Sequence, residues 1–515
     1  MYRTSSLTQD TAPLDRRRAT HLLRRATLGP TPDRVDALLG RTPSEAVDAL
    51  LAEAAATPLP PDPSWVNAEY PEDGGEAAEE AFFDQNLEEW LPVVQGTWLD
   101  ECIAEGLRPR MTLFWHNHFV TGWEKYELAP VAHRYVQTLR RHAIGHFPSF
   151  VEAIGTEPAM LFYLDGIENL ADAPNENYAR ELLELFTMGR LDQQGQPNYT
   201  EQDIAEMARA LTGWIVGDEY RAFFEEDAWD SGTKTFLGRT GRFNHTDVVR
   251  ILFETRAPQI AYFIAGKLYQ EFVYEQPDAA VVQALADVML QNNFQIAAVL
   301  RALLTSTHFF DPRFHGARIK SPVELLSGYF RALGLSSAVG LQREVVGAMG
   351  DDLEQWLLEP PNVAGWPGYR NWLGASSLPT RWQLMEYLTE VLIEGGETEE
   401  GDVPSSVDPL ALFDRFGGGE GDAFFAFPVR LAEHLLPVPL ADASIVGNSA
   451  PFAGNLSRFP IPTAVQQGPA YVRDLAKQLL RGTPWYEATR DPDQLFGLVM
   501  DYVLYLIGLP EFQLT

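Results

Sequence analysis

Apolar residues recur every three or four positions along most of this 515-residue chain, which is the spacing of one face of an α-helix. Near the start, the pattern predicts short helices over 18–27 and 31–39. A third helix is predicted over 43–55, since Thr42 suits the N-cap and Pro43 suits the first helical position. Alternation with a period of two, which is typical of strands, is almost absent. We therefore predict a mainly α fold: a large multi-helix body with irregular Gly/Pro/aromatic loop insertions and little or no β-sheet.

Breaks in the helical pattern divide the chain into successive stretches. In order, these are N-terminal helices (1–57), a proline-rich loop (58–75), a helical core (76–212), an irregular insertion (213–245), a second helical part (246–393) with an aromatic loop at 358–380, an acidic, glycine-rich linker (394–421) and a C-terminal helical subregion (422–515). No internal repeat is found along the chain.

The charge of the chain excludes one class of partner. With 72 acidic and 39 basic residues, the formal net charge is −33, whereas nucleic-acid binding needs clustered lysine and arginine. Only five of the basic residues are lysines, and a dense carboxylate surface with so little lysine suits a salt-rich environment. A GC-rich genome that encodes arginine in place of lysine would produce the same bias, so both explanations stay open.

Other features bear on location and redox chemistry. No run of about 18 uncharged apolar residues occurs, which excludes a membrane-spanning helix. The first 30 residues contain basic side chains but not the apolar core of about 7–15 residues that a secretory signal needs. We therefore expect a cytoplasmic protein, or one that is exported while bound to a signal-bearing partner. The single cysteine, Cys102, excludes an intramolecular disulfide and a cysteine-based zinc or iron–sulfur cluster.

Two segments are dense in chemically active side chains. In the first, Pro109 suits the first turn of a helix that we predict to end near Phe119 and that carries His116 and His118. Histidines two residues apart diverge by about 200° on a regular helix. They share one side only if the helix ends there and the chain becomes extended. The alternative is that one histidine packs and hydrogen-bonds while the other meets solvent or a carboxylate.

The second segment, 174–189, predicts a helix with Asn175 at the N-cap and Gly189 after its C-terminus. Asn177, Glu181 and Glu184 then form one polar stripe. A carboxylate pair on a helix face can bind a divalent cation or act as acid and base. A surface ladder of ion pairs explains the same pattern, because Arg180 follows Glu176 by four residues and precedes Glu184 by four.

Together, the two segments suggest one candidate active site. His116 and His118 would meet Glu181 and Glu184 across two packed helices, forming a mixed nitrogen and oxygen set suited to one divalent transition metal such as Zn, Mn or Fe. Asn177 and Arg180 would orient the substrate or the ligands, and Asp230 would add a carboxylate. A structural hydrogen-bond network satisfies the same polar groups equally well.

The aromatic loop around Trp366, Tyr369 and Trp372 has two interpretations. Aromatic side chains on a Gly/Pro loop can present a surface for a protein partner or a glycan. Alternatively, Trp366 and Trp372 attach the loop to the helical body.

With these segments, the chain resembles a bacterial family known as domain of unknown function 1800. The matching segments are HLLRRATLGPT at 21–31, RMTLFWHNHFV at 110–120, LRRHAIGHF at 139–147, PAMLFYLDG at 158–166, PNENYARELLELFTMG at 174–189, YTEQDIAEMARALTGW at 199–214, SGTKTFLG at 231–238, IAGKL and EFV within 264–273, IKSPVELL at 319–326, PPNVAGWPGYRNW at 360–372 and PEFQ at 510–513. The resemblance spans nearly the whole chain, and the run from 110 to 214 is too long and particular to arise by chance.

The resemblance implies a large, mainly helical bacterial protein without an assigned biochemical activity. Many family members carry export signals. Their genes often lie beside those of domain of unknown function 1501, which is similar to the alkaline-phosphatase and sulfatase superfamily. The resemblance therefore implies a helical accessory protein that works with such a hydrolase-like neighbour. In one respect the chain departs from the family pattern: Trp229 precedes Asp230 where the family usually has His-Asp.

Overall fold

The computed structural model describes residues 7–71, 74–217, 219–398, 401–438 and 469–515, and it confirms the mainly helical prediction. The α-helices of these residues are α1 (Arg16–Ala26), α2 (Pro32–Leu38), α3 (Pro43–Ala56), α4 (Glu76–Gln85), α5 (Leu91–Ala104), α6 (Leu107–His116), α7 (Ala129–His142), α8 (Phe147–Ile154), α9 (Pro158–Tyr163), α10 (Asn177–Glu181), α11 (Glu201–Ala210), α12 (His245–Thr255), α13 (Ala257–Phe272), α14 (Ala279–Gln291), α15 (Ile296–Leu304), α16 (Pro322–Ala332), α17 (Gln342–Gly347), α18 (Ser377–Glu394), α19 (Pro409–Arg415), α20 (Asp422–Leu435), α21 (Ala470–Leu480), α22 (Trp485–Ala488) and α23 (Pro492–Ile507). Wider π-helical turns occupy Asn86–Trp90, Leu182–Thr187 and Ala348–Asp352.

Strands are few and short. In the described chain they form three antiparallel hairpins: β1 (Trp214–Val216) with β2 (Ala222–Phe224), β3 (Lys234–Phe236) with β4 (Arg239–Gly241), and β5 (Gly396–Thr398) with β6 (Gly401–Val403). Two of the hairpins lie within 213–245, the stretch predicted to be irregular.

Helix starts follow the local sequence signals. At α3, the Thr42 side chain accepts a hydrogen bond from the backbone of Glu45 and the Glu45 carboxylate accepts one from the backbone of Thr42, so the predicted N-cap is confirmed. Pro43 occupies the first turn as predicted. The same reciprocal capping box starts α11 at Thr200 and α16 at Ser321.

The chain divides into two compact units that are discontinuous in sequence. Unit 1 comprises Met1–Pro13, Arg41–Asp311 and Gln355–Pro367, and unit 2 comprises Leu14–Gly40, Pro312–Glu354 and Gly368–Thr515. The sequence predicted contiguous stretches with a C-terminal subregion of their own. In the structure, α1 and α2 instead belong to the unit that contains the C-terminal helices. Pairing between segments hundreds of residues apart determines this division, and local patterning carries no signal for it.

The stretch 394–421 is more structured than the predicted linker. It contains hairpin β5–β6 and helix α19, which the Asp408 side chain caps by accepting a hydrogen bond from Leu410 N. Leu412 and Phe413 of α19 are buried, and this apolar pair stabilises a helix in an otherwise acidic and glycine-rich segment.

Three buried cations in unit 2 donate to backbone carbonyls. Arg24 donates to the carbonyl of His434 at 2.6 Å, and Lys320 donates to the carbonyl of Phe512 at 2.6 Å. Arg331 donates to the carbonyl of Gly29 at 2.8 Å. These bonds join parts of the first, middle and last segments of the chain into one core.

In unit 1, the first part of the aromatic loop packs inward. Trp366 is only 6% exposed, and its ring lies 5.5 Å from that of His116, centroid to centroid. The attachment interpretation is therefore confirmed for Trp366, whereas Tyr369 and Trp372 lie in unit 2 and are partly exposed. Across the described ranges, no helix combines the length and apolar character needed to cross a membrane.

Candidate functional site

The segment 174–189 does not form one regular helix. Helix α10 ends at Glu181 and continues as the π-helical turn Leu182–Thr187, while the N-cap is Glu176. The N-cap therefore lies one residue later than the predicted Asn175, whose side-chain oxygen accepts a hydrogen bond from Asn177 N at 2.9 Å. Gly189 has a φ of +73°, so the predicted glycine stop is confirmed. Because a π-helical turn is wider than an α-helical one, the predicted polar stripe is rotated along its length.

The structure brings the two predicted carboxylates near each other. Glu184 accepts a hydrogen bond from the Tyr199 hydroxyl at 3.0 Å. Glu181 is half-buried, and burial followed by the charge of Glu184 raises the pKa of its carboxyl. No histidine shares these hydrogen bonds.

The other predicted residues of this segment lie on the surface. Arg180 pairs with Glu176 at 3.1 Å and with Glu201 at 2.9 Å. The ion-pair interpretation therefore holds for Glu176, while Glu201 takes the place predicted for Glu184. The Asn177 side chain donates to Asp165 at 2.8 Å.

Asp230 is an anchor for the loop between hairpins β1–β2 and β3–β4. Its carboxylate accepts hydrogen bonds from Arg209 Nε and Gly232 N, both at 2.7 Å. Burial opposes ionisation of Asp230, but these hydrogen bonds prevail and lower its pKa. The carboxylate therefore holds local backbone.

His116 is buried with both ring nitrogens engaged. Nδ1 lies 3.1 Å from the Tyr135 hydroxyl, and Nε2 accepts a hydrogen bond from Leu358 N at 3.2 Å. Burial lowers the pKa of His116 to about 3, so the ring is neutral at physiological pH.

His118 follows the end of α6 and has different neighbours. Its Nε2 donates to the carbonyl of Phe186 at 3.0 Å, and aromatic rings surround it, Phe114 being stacked on it. Burial, with the positive charge of Lys267 as the next cause, holds the pKa of His118 well below its ordinary value. Neither histidine contacts solvent or a carboxylate. The alternative in which one histidine packs and the other meets solvent or a carboxylate is therefore also wrong.

These positions do not assemble the metal site predicted from His116, His118, Glu181 and Glu184. Within the part of the chain that the structure describes, no group of three or more His, Cys, Asp or Glu side chains is arranged to hold a metal ion. The physical reason is local: α6 ends at His116, but Asn117 keeps a right-handed helical backbone (φ −77°, ψ −7°) instead of becoming extended, so the two imidazoles point to separate partners.

A different site lies on helix α13. Residues of α13, of α14 and of the loop after Gly189 line a cleft with a volume of about 520 Å³. Its wall includes Lys267 and two adjacent aromatic residues, Tyr262 and Phe263. Six primary amide side chains also line it: Gln193, Gln194, Asn198, Gln259, Gln270 and Gln283.

The family-like segments meet at this cleft. Met188, from the end of the segment 174–189, lines it, and the neighbouring Gly189 packs so closely on Phe263 that an added Cβ would lie 3.1 Å from the ring. Lys267 belongs to the IAGKL segment, and its Nζ lies 5.2 Å from the centroid of the Phe263 ring.

Lys267 differs from the other four lysines, all of which lie in described segments. Lys125, Lys234, Lys320 and Lys477 each have a carboxylate or carbonyl oxygen as partner. Lys267 has no hydrogen bond or ion pair within the described residues; its polar contact is the cation–π interaction with Phe263. Burial lowers its pKa from 10.5 to about 8.

Sequence reasoning did not single out Lys267. One signal was available, because a lysine is rare in this chain and Lys267 interrupts an apolar run of α13. The signal was incomplete, since the lining residues come from segments up to about a hundred positions apart and only the fold brings them together.

The fold and cleft define a large, mainly helical protein with a partly buried lysine in the wall of an amide-lined cavity. The chain belongs to the family described as "Protein of unknown function (DUF1800)", whose family model matches residues 21–514. Comparison with curated proteins and with solved structures gives no match.

Proposed function

We propose that this protein binds a small polar molecule in the cleft at Lys267. The observation that carries the proposal is Lys267, which lines a cleft of about 520 Å³ and whose ammonium, among the five lysines, is the one without an oxygen partner in the described chain. A partly buried charge without a counter-charge costs stability, and such groups concentrate at binding and catalytic sites. The cleft volume lies within the range of roughly 300–1,000 Å³ that small-molecule sites occupy.

Gly266 offers a direct way to close the cleft. It lines the cavity on α13, and a Cβ at this position would meet only Val282, at an ordinary distance of 3.8 Å. Gly266→Trp should therefore occupy the cleft without disturbing the backbone, while the matched control Gly266→Ala leaves it open.

The test is ligand-observed saturation-transfer NMR with a panel of neutral sugars, sugar acids, amino acids and small dicarboxylates. The proposal expects at least one class to give signals with the wild type and with Gly266→Ala, and to lose them with Gly266→Trp. A ligand at 100 times its Kd should also stabilise the fold by about 2.7 kcal/mol. Binding that survives in Gly266→Trp, or no binding by any class, would overturn the proposal.

A second candidate is the accessory role that the resemblance implies, with a domain of unknown function 1501 protein as partner and with export in its company. The supporting observation is the hairpin β1–β2, where the adjacent Phe223 and Phe224 are 45% and 41% exposed. Adjacent exposed aromatic side chains are common at protein interfaces. The test is a pull-down with the purified domain of unknown function 1501 protein. Binding should be lost in the double variant Phe223→Ser/Phe224→Ser and retained in the control Leu39→Ser, since Leu39 has a similar exposure of 41%. Equal retention in both variants would count against this role.

A further inference from the structure

The Lys267 cleft presents a positive charge in an acidic protein. Across the chain, acidic residues outnumber basic ones by 72 to 39. In the cleft wall, however, Asp192 is the one carboxylate, and its Oδ1 already accepts hydrogen bonds from Gln194 N and Gln196 N, both at 2.8 Å. That carboxylate oxygen therefore shapes the loop. The ligand group that complements the cleft at Lys267 is an anion.

The amides of the wall complement hydroxyl groups. A primary amide both donates and accepts hydrogen bonds, as a hydroxyl does, so an amide with spare hydrogen-bonding capacity matches a polyhydroxylated molecule. Four of the six amides already make hydrogen bonds within the protein: Gln193, Asn198, Gln270 and Gln283. The Gln259 side-chain oxygen has no donor within the described residues, and Gln194 has no side-chain hydrogen bond there. A ligand hydroxyl would satisfy the Gln259 oxygen, which otherwise carries a desolvation cost.

The wall also has an apolar part. Phe263 and Tyr262 lie beside Lys267, and both line the cleft. The C–H faces of a sugar ring are apolar and pack against aromatic rings, while the ring hydroxyls point outward to polar partners. An aromatic surface, a set of amides and one ammonium in the same cleft therefore match three features of a single ligand class.

We propose that this cleft binds an acidic saccharide, a mono- or disaccharide whose carboxylate or sulfate pairs with the ammonium of Lys267. This inference rests on the proposed function, because it names the ligand class of the same cleft. The shared chemistry is an oxyanion on a polyhydroxylated ring, and the experiment separates the two sources of the oxyanion.

The experiment is isothermal titration calorimetry of the full chain at pH 7 with four probes: D-glucuronate, D-glucose 6-sulfate, D-glucose and free acetate. We expect glucuronate or glucose 6-sulfate to bind at least ten-fold more tightly than glucose and than acetate. The tighter of the two identifies the oxyanion. Lys267→Met should reduce the affinity for the acidic sugar to that for glucose, and Lys267→Arg should retain part of it.

Each other outcome has a distinct meaning. If glucose binds as tightly as glucuronate and Lys267→Met changes nothing, the anion inference fails while small-molecule binding stands. If acetate binds as tightly as the sugar acids, the saccharide inference fails. If no probe binds but another compound class gives NMR signals that Gly266→Trp abolishes, only the ligand class is wrong. Thermal melting of each variant shows whether it is folded.

Discussion

The side-chain amide of Asn117 makes two hydrogen bonds to the backbone of Trp366: Oδ1 accepts from the Trp366 N–H at 2.7 Å, and Nδ2 donates to its carbonyl at 3.2 Å. In a β-sheet, the backbone of a neighbouring strand would pair with the N–H and carbonyl of a residue such as Trp366. Here a side chain at the C-terminal end of α6 does so and holds the aromatic loop in unit 1.

Asn117→Ala should destabilise the protein by about 1–3 kcal/mol, because it leaves the N–H and carbonyl of Trp366 without partners. The control is Asn362→Ala in the same loop, an exposed side chain that accepts one hydrogen bond from Ala364 N. That change should cost less than about 1 kcal/mol. Urea unfolding followed by tryptophan fluorescence measures both, and equal costs would show that the Asn117 pairing adds nothing.

Gly365 allows this close approach. It has a φ of +80°, and an added Cβ would collide with the side-chain oxygen of Asn117. We expect Gly365→Ala to lower the free energy of unfolding by clearly more than the roughly 1–2 kcal/mol that left-handed backbone strain alone would cost. The added Cβ would also displace the Asn117 side chain. Gly340→Ala is the matched control, because Gly340 has a φ of +90° with nothing within 4 Å of the added Cβ. Thermal melting of the two variants should separate strain from collision; identical shifts would contradict the role of the contact.

Lys267 should destabilise the empty protein. Burial lowers its pKa from 10.5 to about 8, so the unfolded state binds more protons between these two values, and the stability of the wild type rises with pH across that window. Below about pH 8 the cost is fully present, and at about 1.4 kcal/mol per pKa unit it is on the order of 3 kcal/mol. Lys267→Met should therefore stabilise the protein at neutral pH and lose this advantage as the pH rises toward 10.5.

Denaturant unfolding at several pH values tests this linkage. His118 lies near Lys267, and because its pKa is held well below its ordinary value, its protonation does not change in that window. Lys477→Met is the control, since Lys477 pairs with Asp474 at 3.2 Å. A Lys267→Met variant that is less stable than the wild type at neutral pH would show that the ammonium has a stabilising partner.

Arg180→Ala should change the unfolding free energy by less than about 1 kcal/mol, because exposed ion pairs are screened by water and salt. Arg110→Ala is the contrast: Arg110 is 1% exposed and pairs with Glu271 at 2.7 Å, and loss of a buried partner typically costs about 3–5 kcal/mol. If Arg180→Ala proves as costly as Arg110→Ala, the surface interpretation of the segment 174–189 fails.

The net charge of −33 gives a prediction about salt. If the acidic surface is an adaptation to high salt, the Tm should rise between about 0.1 M and about 2 M KCl, as screening weakens repulsion among carboxylates. Sodium chloride at the same concentrations serves as the control for cation identity. A Tm that stays constant would favour genomic composition as the origin of the arginine excess.

Local signals predicted the fold class and several helix ends, but not the candidate site. Thr42, Pro43 and Gly189 act through their nearest neighbours, and the structure has each in its predicted role. For His116 and His118, the outcome depended on whether α6 continued past His116, and burial decided their chemistry.

The cleft at Lys267 was harder still to predict. Gln193 and Gln283 both line it and are joined by a hydrogen bond at 3.0 Å, although 90 residues separate them. The π-helical turn before Gly189 also has no reliable sequence signature, because its wider ring depends on the packing around it. Position in space, rather than residue type, makes Lys267 distinctive.

During synthesis on the ribosome, the two units become complete at different times. The long central part of unit 1 emerges as one stretch and can begin to fold as it appears. Helix α1 belongs to unit 2. Its Arg24 cannot form the hydrogen bond to the carbonyl of His434 until that residue, 410 positions further along the chain, has been synthesised. At about 5–20 residues per second, that interval lasts roughly 20–80 s. During it, the apolar face of α1 is a natural substrate for chaperones, so the yield of folded protein should depend on chaperone supply more than its final stability does.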